Sequence, residues 1–200
     1  VDQLDYIPEL LDAVKKSGKI YMMNETTAFR AQCYAMRKMY EAGLLGEINY
    51  VEGEYFHPCG NDVNAEMCPS YNNWRRGCPP QYYPTHSNGY YTCVTHKRFT
   101  EVSCLARPSI LNQYQPENNA YHNAFGSEYA LLKCEDGACA RMAVSWDVPA
   151  YGAEIGRIWG DKGCYDADKG GYTGWFEDKV AELDTAKPNL PPGMPCGWHG

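Results

Sequence analysis

The chain has 200 residues, of which 44% are hydrophobic and 22% are charged, as expected for a soluble globular chain of one domain or slightly more. Its formal net charge of −7 argues against nucleic acid and against an anionic membrane as partners, because both bind through basic surfaces. No apolar run approaches the roughly 20 residues of a membrane span.

The N-terminal part is predicted to belong to a parallel α/β layer. Apolar side chains recur at helical spacing over residues 4–16, and Gly18 ends that helix. The apolar run KIYMM, residues 19–23, predicts a buried strand, and a second helix follows from about residue 28 to residue 42. Because a parallel strand needs neighbours, we interpret the chain as a fragment cut at its N-terminus.

A different pattern begins after Gly46. Residues 47–56 alternate apolar and polar side chains, which indicates a strand with one exposed face. Residues 57–81 are interpreted as a loop, and residues 98–106 as another strand. Two hairpins are predicted, the first from residues 128–134 and 138–146 and the second from residues 154–159 and 163–165. This part is therefore expected to be a mostly antiparallel sheet backed by helices on one face.

Ten cysteines are present, enough for five disulfides in a secreted chain. The sequence has no secretion signal and no Cys-x-x-Cys, so reduced cysteines in a cytoplasmic protein are favoured over a disulfide framework. Cys134 and Cys139 flank a predicted turn, and we expect that they can face each other across the hairpin. The spacings do not fit a structural zinc site, so no metal is predicted.

The segment QYYPTHSNGYY, residues 81–91, is the strongest candidate for chemistry. It is interpreted as an active-site loop in which His86 exchanges a proton with a hydroxyl group, because imidazole titrates near physiological pH. The tyrosines around it offer flat walls and hydrogen bonds that suit a sugar or polyol. The alternative is that His86 caps a helix or fills a polar corner.

Three further places are candidate binding residues. His57 ends a predicted strand, where side chains often line a site; it could equally be a surface residue before Pro58. Arg75 follows Trp74 and could bind a carboxylate or stack on a ring, or these residues could simply anchor the loop. Asn24 and Glu25 follow the predicted strand 19–23 and could face a cofactor, or form a polar turn.

Several segments together resemble the Gfo/Idh/MocA family of NAD(P)-dependent sugar oxidoreductases. The matching segments are KIYMMNET (19–26), EAGLLGEINYVEGEYFHP (41–58), WRRGCPPQYYPTHS (74–87), RFTEVSCLA (98–106), WGDKGCY (159–165) and GWHG (197–200). The resemblance implies an α/β (α+β) protein in which residues 1–27 end a Rossmann domain. Residues 28–200 would form a C-terminal domain for substrate binding and dimerisation, with an open, mostly antiparallel sheet.

The resemblance also implies roles for individual residues. His86 is expected to transfer the proton while hydride moves to NAD or NADP, and Tyr83 to line the pocket. His57, Trp74, Arg75 and His199 are expected to contact a carbohydrate substrate. Asn24 and Glu25 are expected beside the nicotinamide, although the family's phosphate loop and Glu-Lys-Pro motif do not occur in this sequence.

Two other functions remain open at this stage. An NAD-dependent glycosidase would use transient oxidation followed by elimination, but Phe29 stands where such relatives keep a tyrosine. A non-catalytic structural module is the other possibility, because the exposed sheet face in this family commonly buries a partner subunit. A homo-oligomer formed through this sheet face is therefore expected.

Overall fold

The computed structural model describes residues 4–22, 25–59 and 68–183. The helices of this part are α1 (Ile7–Ser17), α2 (Ala31–Glu41), α3 (Thr85–Thr95) and α4 (Glu177–Glu182), together with short 3₁₀ turns. Within the described residues, no helix is long and apolar enough to cross a lipid bilayer.

Seven strands form one open sheet. They are β1 (Ile48–Phe56), β2 (Phe99–Pro108), β3 (Phe125–Cys134), β4 (Cys139–Ser145), β5 (Ala153–Gly160), β6 (Gly163–Asp166) and β7 (Gly171–Gly174). Their order across the sheet is β2-β3-β4-β1-β5-β6-β7, and β1 runs parallel to β4 while all other neighbours are antiparallel. The predicted strand 47–56 and both predicted hairpins are confirmed, as is the mostly antiparallel sheet.

Helices α2 and α3 cover one face of this sheet. The covered face of β1 is formed by Val51, Gly53 and Tyr55, which are buried, whereas the residues between them are half-buried. Together α2, α3 and the central strands enclose the core, whose largest fully buried side chains include Met36, Tyr90, Tyr91, Met142 and Ile158. This burial follows directly from the period-2 alternation that the sequence shows.

Two glycines allow α3 to lie unusually close to the sheet. Gly53 of β1 and Gly156 of β5 are register partners. A Cβ on Gly53 would lie 2.1 Å from the backbone oxygen of Ser87, and a Cβ on Gly156 would lie 1.9 Å from Cδ1 of Tyr90. Because glycine permits such close backbone approach, this pair determines how closely α3 packs against the sheet.

The other face of the sheet is divided between charged and apolar side chains. In the centre, Glu52 accepts hydrogen bonds from both Arg141 and Arg157. Towards the β2 edge, Leu105 and Leu131 are exposed. In the part of the chain that the structure describes, this face carries no covering helix.

Two sequence predictions about secondary structure are wrong. Residues 19–22 of the predicted strand have no regular structure, and Ile20 is 97% exposed, because no described strand lies beside them to complete a ladder. The predicted active-site loop at residues 81–91 is instead a 3₁₀ turn followed by α3. Its sequence has Gly89 and several β-branched and aromatic residues, which have low helix propensity, so packing against the sheet stabilises the helix.

The predicted approach of Cys134 to Cys139 is also wrong. Cys139 is the register partner of Lys133, and Cys134 points to the opposite face of the hairpin. Accordingly, Cys134 is buried and Cys139 is exposed, and both are free thiols.

Candidate functional site

Helix α3 carries His86 in its first turn, directly after Pro84 and Thr85. The helix is fixed to β5 by the Tyr90 hydroxyl, which donates a 2.8 Å hydrogen bond to the Glu154 carbonyl oxygen. Gln32 of α2 donates to the same carbonyl at 2.8 Å. These bonds place the His86 ring against the sheet, where the residue is only 6% exposed.

Two carboxylates face the same nitrogen of His86. The Nδ1 atom lies 2.9 Å from Oε1 of Glu25 and 3.6 Å from Oε1 of Glu154. The Glu154 side chain is fully buried; its other oxygen accepts a 2.6 Å bond from Nη2 of Arg30. The hydroxyl of Thr27 donates a short hydrogen bond to Glu154 as well. His86 is therefore held from three segments of the chain: the turn before α2, α3 and β5.

This arrangement favours the charged form of every ionisable member. Burial by itself lowers the pKa of His86, but Glu154 and Glu25 outweigh burial and raise it to about 9. Burial raises the pKa values of Glu25 and Glu154, but their hydrogen bonds, chiefly to His86, lower both to about 2. With Arg30, the group has two negative and two positive charges, so it is neutral when His86 is protonated.

The same three side chains have the composition of a metal site. One ligand atom each from Glu25, His86 and Glu154 lies within 4.8 Å of the others, and carboxylate and imidazole ligands suit a divalent transition metal. However, Arg30 and the protonated ring already balance the two carboxylates, and a metal ion would have to displace the His86 proton. The charges therefore support an ion-pair network at this position.

Aromatic rings surround His86. The ring centroid of Tyr55 lies 4.5 Å from that of His86, and the centroid of Tyr83 lies 5.3 Å from it. Trp146 packs edge-on against both tyrosines, at 5.5 and 5.7 Å. His57 adjoins Tyr55 at 5.9 Å. Such a mixture of flat apolar faces with hydroxyl and N–H groups at their edges is suited to a small polyhydroxylated ligand.

The residues singled out from the sequence fall into three groups. Tyr83 and Glu25 lie beside His86, and His57 lies next to Tyr55, whose ring adjoins His86. Trp74 and Arg75 lie in the loop before α3, where Arg75 approaches Tyr83. Asn24 and His199 lie outside the described residues, so their predicted roles stay predictions.

The side chains that control His86 were not predicted from the sequence. Glu154 was predicted only as the start of a strand, and Arg30, Thr27 and Tyr55 were not singled out. A charged residue at the start of a predicted buried strand was an available signal for Glu154. Arg30 gave no comparable signal, because it lies immediately before a helix, where an exposed arginine is ordinary.

Glu25, one of the two residues predicted to lie beside the nicotinamide, makes contacts within the chain. The Glu25 carboxylate, predicted to face the cofactor, accepts a 2.9 Å hydrogen bond from the Thr27 N–H and lies against His86. The sequence contains no glycine-rich phosphate loop. A dinucleotide bound next to this site would therefore be held chiefly by other residues.

No protein-family model and no curated protein sequence matches this chain. Solved structures do share its fold. A putative myo-inositol dehydrogenase from Sinorhizobium meliloti matches with a TM-score of 0.64 and 16% identity, covering 86% of this chain and 52% of that chain. A probable dehydrogenase from Thermotoga maritima matches with a TM-score of 0.64 and 14% identity, covering the same 86% and 52%.

A third match was solved with ligands bound. The WlbA dehydrogenase from Bordetella pertussis, in complex with NADH and UDP-GlcNAcA, has a TM-score of 0.60 and 14% identity, covering 92% of this chain and 48% of that chain. This chain thus spans about half the length of these structures. The neighbours are oxidoreductases of the Gfo/Idh/MocA type, and the described sheet and helices have the fold of their C-terminal domain.

Proposed function

We propose that this chain is the substrate-binding part of an NAD(P)-dependent oxidoreductase that acts on a sugar, glycoside or polyol by hydride transfer. The observation that carries the proposal is His86, whose Nδ1 lies against the buried carboxylate of Glu154 and the half-buried carboxylate of Glu25 while tyrosine rings flank it. A histidine whose only purpose was packing would not need two carboxylates that perturb its pKa, and strongly perturbed groups cluster at functional sites.

The proton chemistry follows from the two sides of the imidazole. Glu25 and Glu154 hold the Nδ1 side, so we assign proton exchange with the substrate oxygen to Nε2. As an imidazolium, His86 donates a proton to a substrate carbonyl that is being reduced; as a neutral ring, it accepts the proton of a hydroxyl that is being oxidised. The nicotinamide, when bound, supplies or accepts the hydride. Tyr55 and Tyr83 would orient the substrate next to that nitrogen.

The solved neighbours support this class of substrate. Besides the WlbA complex, they include an inositol dehydrogenase homolog from Azotobacter vinelandii complexed with NAD+ and an aldose-aldose oxidoreductase from Caulobacter crescentus complexed with glycerol. UDP-GlcNAcA and glycerol, bound in two of these structures, are polyhydroxylated and so match the kind of ligand that suits the aromatic surroundings of His86. The choice between NAD and NADP depends on a ribose-reading residue that the described part of this chain does not supply.

The test replaces His86 in the complete polypeptide that its gene encodes. That protein is screened against inositols, aldoses and methyl glycosides with NAD+ and with NADP+, and turnover is compared for the native chain, His86→Asn and the matched control His122→Asn. We expect kcat to fall by about 10²-fold or more in His86→Asn and to be unchanged in the control. His122 has a positive φ of 51°, which asparagine tolerates.

Two results would contradict the proposal. Unchanged turnover in His86→Asn would remove His86 from the chemistry. Release of sugar from aryl glycosides without accumulation of NADH would instead assign the glycosidase that uses transient oxidation.

We also propose a second copy of this chain as the partner of the open sheet face. Leu105, Tyr129 and Leu131 are exposed and lie side by side on β2 and β3, and clustered exposed apolar side chains mark interaction surfaces. Sedimentation equilibrium of native protein and of Leu131→Lys tests this: a monomeric native protein would exclude such a partner.

The thiols of Cys134 and Cys139 suit a reducing compartment, which favours the cytoplasm.

A further inference from the structure

Arg75 places a positive charge next to the aromatic rings of the site. Its guanidinium carbon lies 4.4 Å from the ring centroid of Trp74 and 6.0 Å from that of Tyr83. Burial raises the pKa of the Cys59 thiol to about 11, and the nearby charge of Arg75 opposes that rise. Cys59 and Tyr83 both pack against the cluster of Tyr55 and Trp146, so the guanidinium lies near that cluster.

The positive charge of Arg75 forms no ion pair with another described residue. Among the described residues, no carboxylate lies within ion-pair distance of Arg75, and the network of Glu25, His86, Glu154 and Arg30 is already neutral without it. The next residue shows the contrast. Arg76 donates from Nε to the Asn118 carbonyl at 2.6 Å and from Nη1 to the Cys68 carbonyl at 3.2 Å, so it anchors the loop and Arg75 does not.

We propose that Arg75 binds an anionic substituent, a carboxylate or a phosphate, of the sugar whose hydroxyl reacts at His86. This inference rests on the proposed function and narrows its substrate class to acidic sugars. The planar guanidinium presents paired N–H donors that match the two oxygens of such a group. Arg75 and Trp74 are both exposed, so a ligand can reach the guanidinium.

The Tyr83 ring lies near both His86 and Arg75. The Tyr83 ring lies 5.3 Å from the His86 ring and 6.0 Å from the Arg75 guanidinium carbon. A pyranose that rests against Tyr83 can therefore place a hydroxyl at His86 while the anionic group on the opposite side of the ring meets Arg75. A neutral sugar would make the first contact without the second.

The experiment measures binding to the complete polypeptide that the gene encodes by NMR, following the His86 imidazole signals and the indole signals during titration with glucuronate, glucose 6-phosphate and glucose. Native chain is compared with Arg75→Gln and with the control Arg98→Gln, which removes an exposed arginine at the start of β2 that pairs with Glu135. We expect at least one acidic sugar to bind about tenfold or more tightly than glucose. That preference should disappear in Arg75→Gln and persist in Arg98→Gln. Which of the two acids binds more tightly identifies the substituent.

A second variant, Arg75→Lys, separates charge from geometry: it should keep part of the preference, because lysine retains the charge without the planar pair of donors. Equal affinity for all three sugars, with the His86 signals responding, would overturn the anionic substituent and leave the oxidoreductase proposal intact. A preference that survives in Arg75→Gln would equally overturn the role of Arg75. If no sugar perturbs His86 in the native chain, both the inference and the proposed substrate site are wrong.

Discussion

Replacing Glu154 with glutamine tests whether the buried carboxylates hold His86 in its protonated form. The pKa of His86 rises from 6.5 to about 9, which corresponds to about 3 kcal/mol of preferential stabilisation of the imidazolium. The side chain is almost fully buried, so solvent screens little of this interaction. Glutamine keeps the size of the side chain and can still accept the Thr27 hydroxyl, but it removes one of the two negative charges. We expect the His86 pKa to fall by at least about one unit, or about 1.4 kcal/mol.

The assay is an NMR titration of the histidine Cε1–H resonances, with the His86 signal assigned by its loss in His86→Asn. Glu54→Gln is the control, because Glu54 is a half-buried glutamate of the same sheet that pairs with Arg141 on the face opposite to Glu154. An unchanged His86 pKa in Glu154→Gln, with the fold retained by circular dichroism, would refute the electrostatic account of the site. A shift of equal size in the control would refute its assignment to Glu154.

Two further predictions concern stability. The folded-state pKa of His86 lies above its unfolded value, so its contribution to the free energy of unfolding is complete below about pH 6.5 and is lost as the pH rises through about 9. Urea unfolding of the native chain at a series of pH values should show this decline, and urea unfolding of His86→Asn should not. Gly156→Ala places a methyl group against the Tyr90 ring and should destabilise the chain by about 1–3 kcal/mol, so an unchanged urea midpoint would show that α3 does not depend on the glycine pair.

The sequence was sufficient to predict the sheet but not the helix that carries His86. The alternation in β1 and the turn residues of both hairpins are local signals, and local signals predicted them correctly. Helix α3 depends on contacts that are distant in sequence: Gly53 and Gly156 make room for it, and the Tyr90 hydroxyl fixes it to β5. Reading its Gly, Asn and Thr residues alone favours a loop.

The same distinction explains which site residues were found. His86 and Tyr83 stand out because a histidine and so many tyrosines are unusual in a segment that also contains Pro84, Ser87, Asn88 and Gly89. Glu154 is separated from His86 by 68 positions, so only the three-dimensional packing of α3 against β5 shows that the two residues are partners. Conversely, residues 19–23 have the apolar pattern of a buried strand, but an apolar pattern forms a strand only where a neighbouring strand completes the hydrogen-bond ladder.

The proposed proton exchange gives a reason for the charged network around His86 that stability alone does not give. A buried ion-pair network contributes little net stability, because desolvation of each charge offsets most of the attraction, and well-packed apolar groups commonly replace such networks without loss. Here the core beside the network is already complete, with Tyr90, Met36 and Ile158 fully buried. The proposed function gives this network a use: a neutral cluster retains its proton on the imidazole at neutral pH, where, as we propose, a substrate oxygen beside the ring receives it.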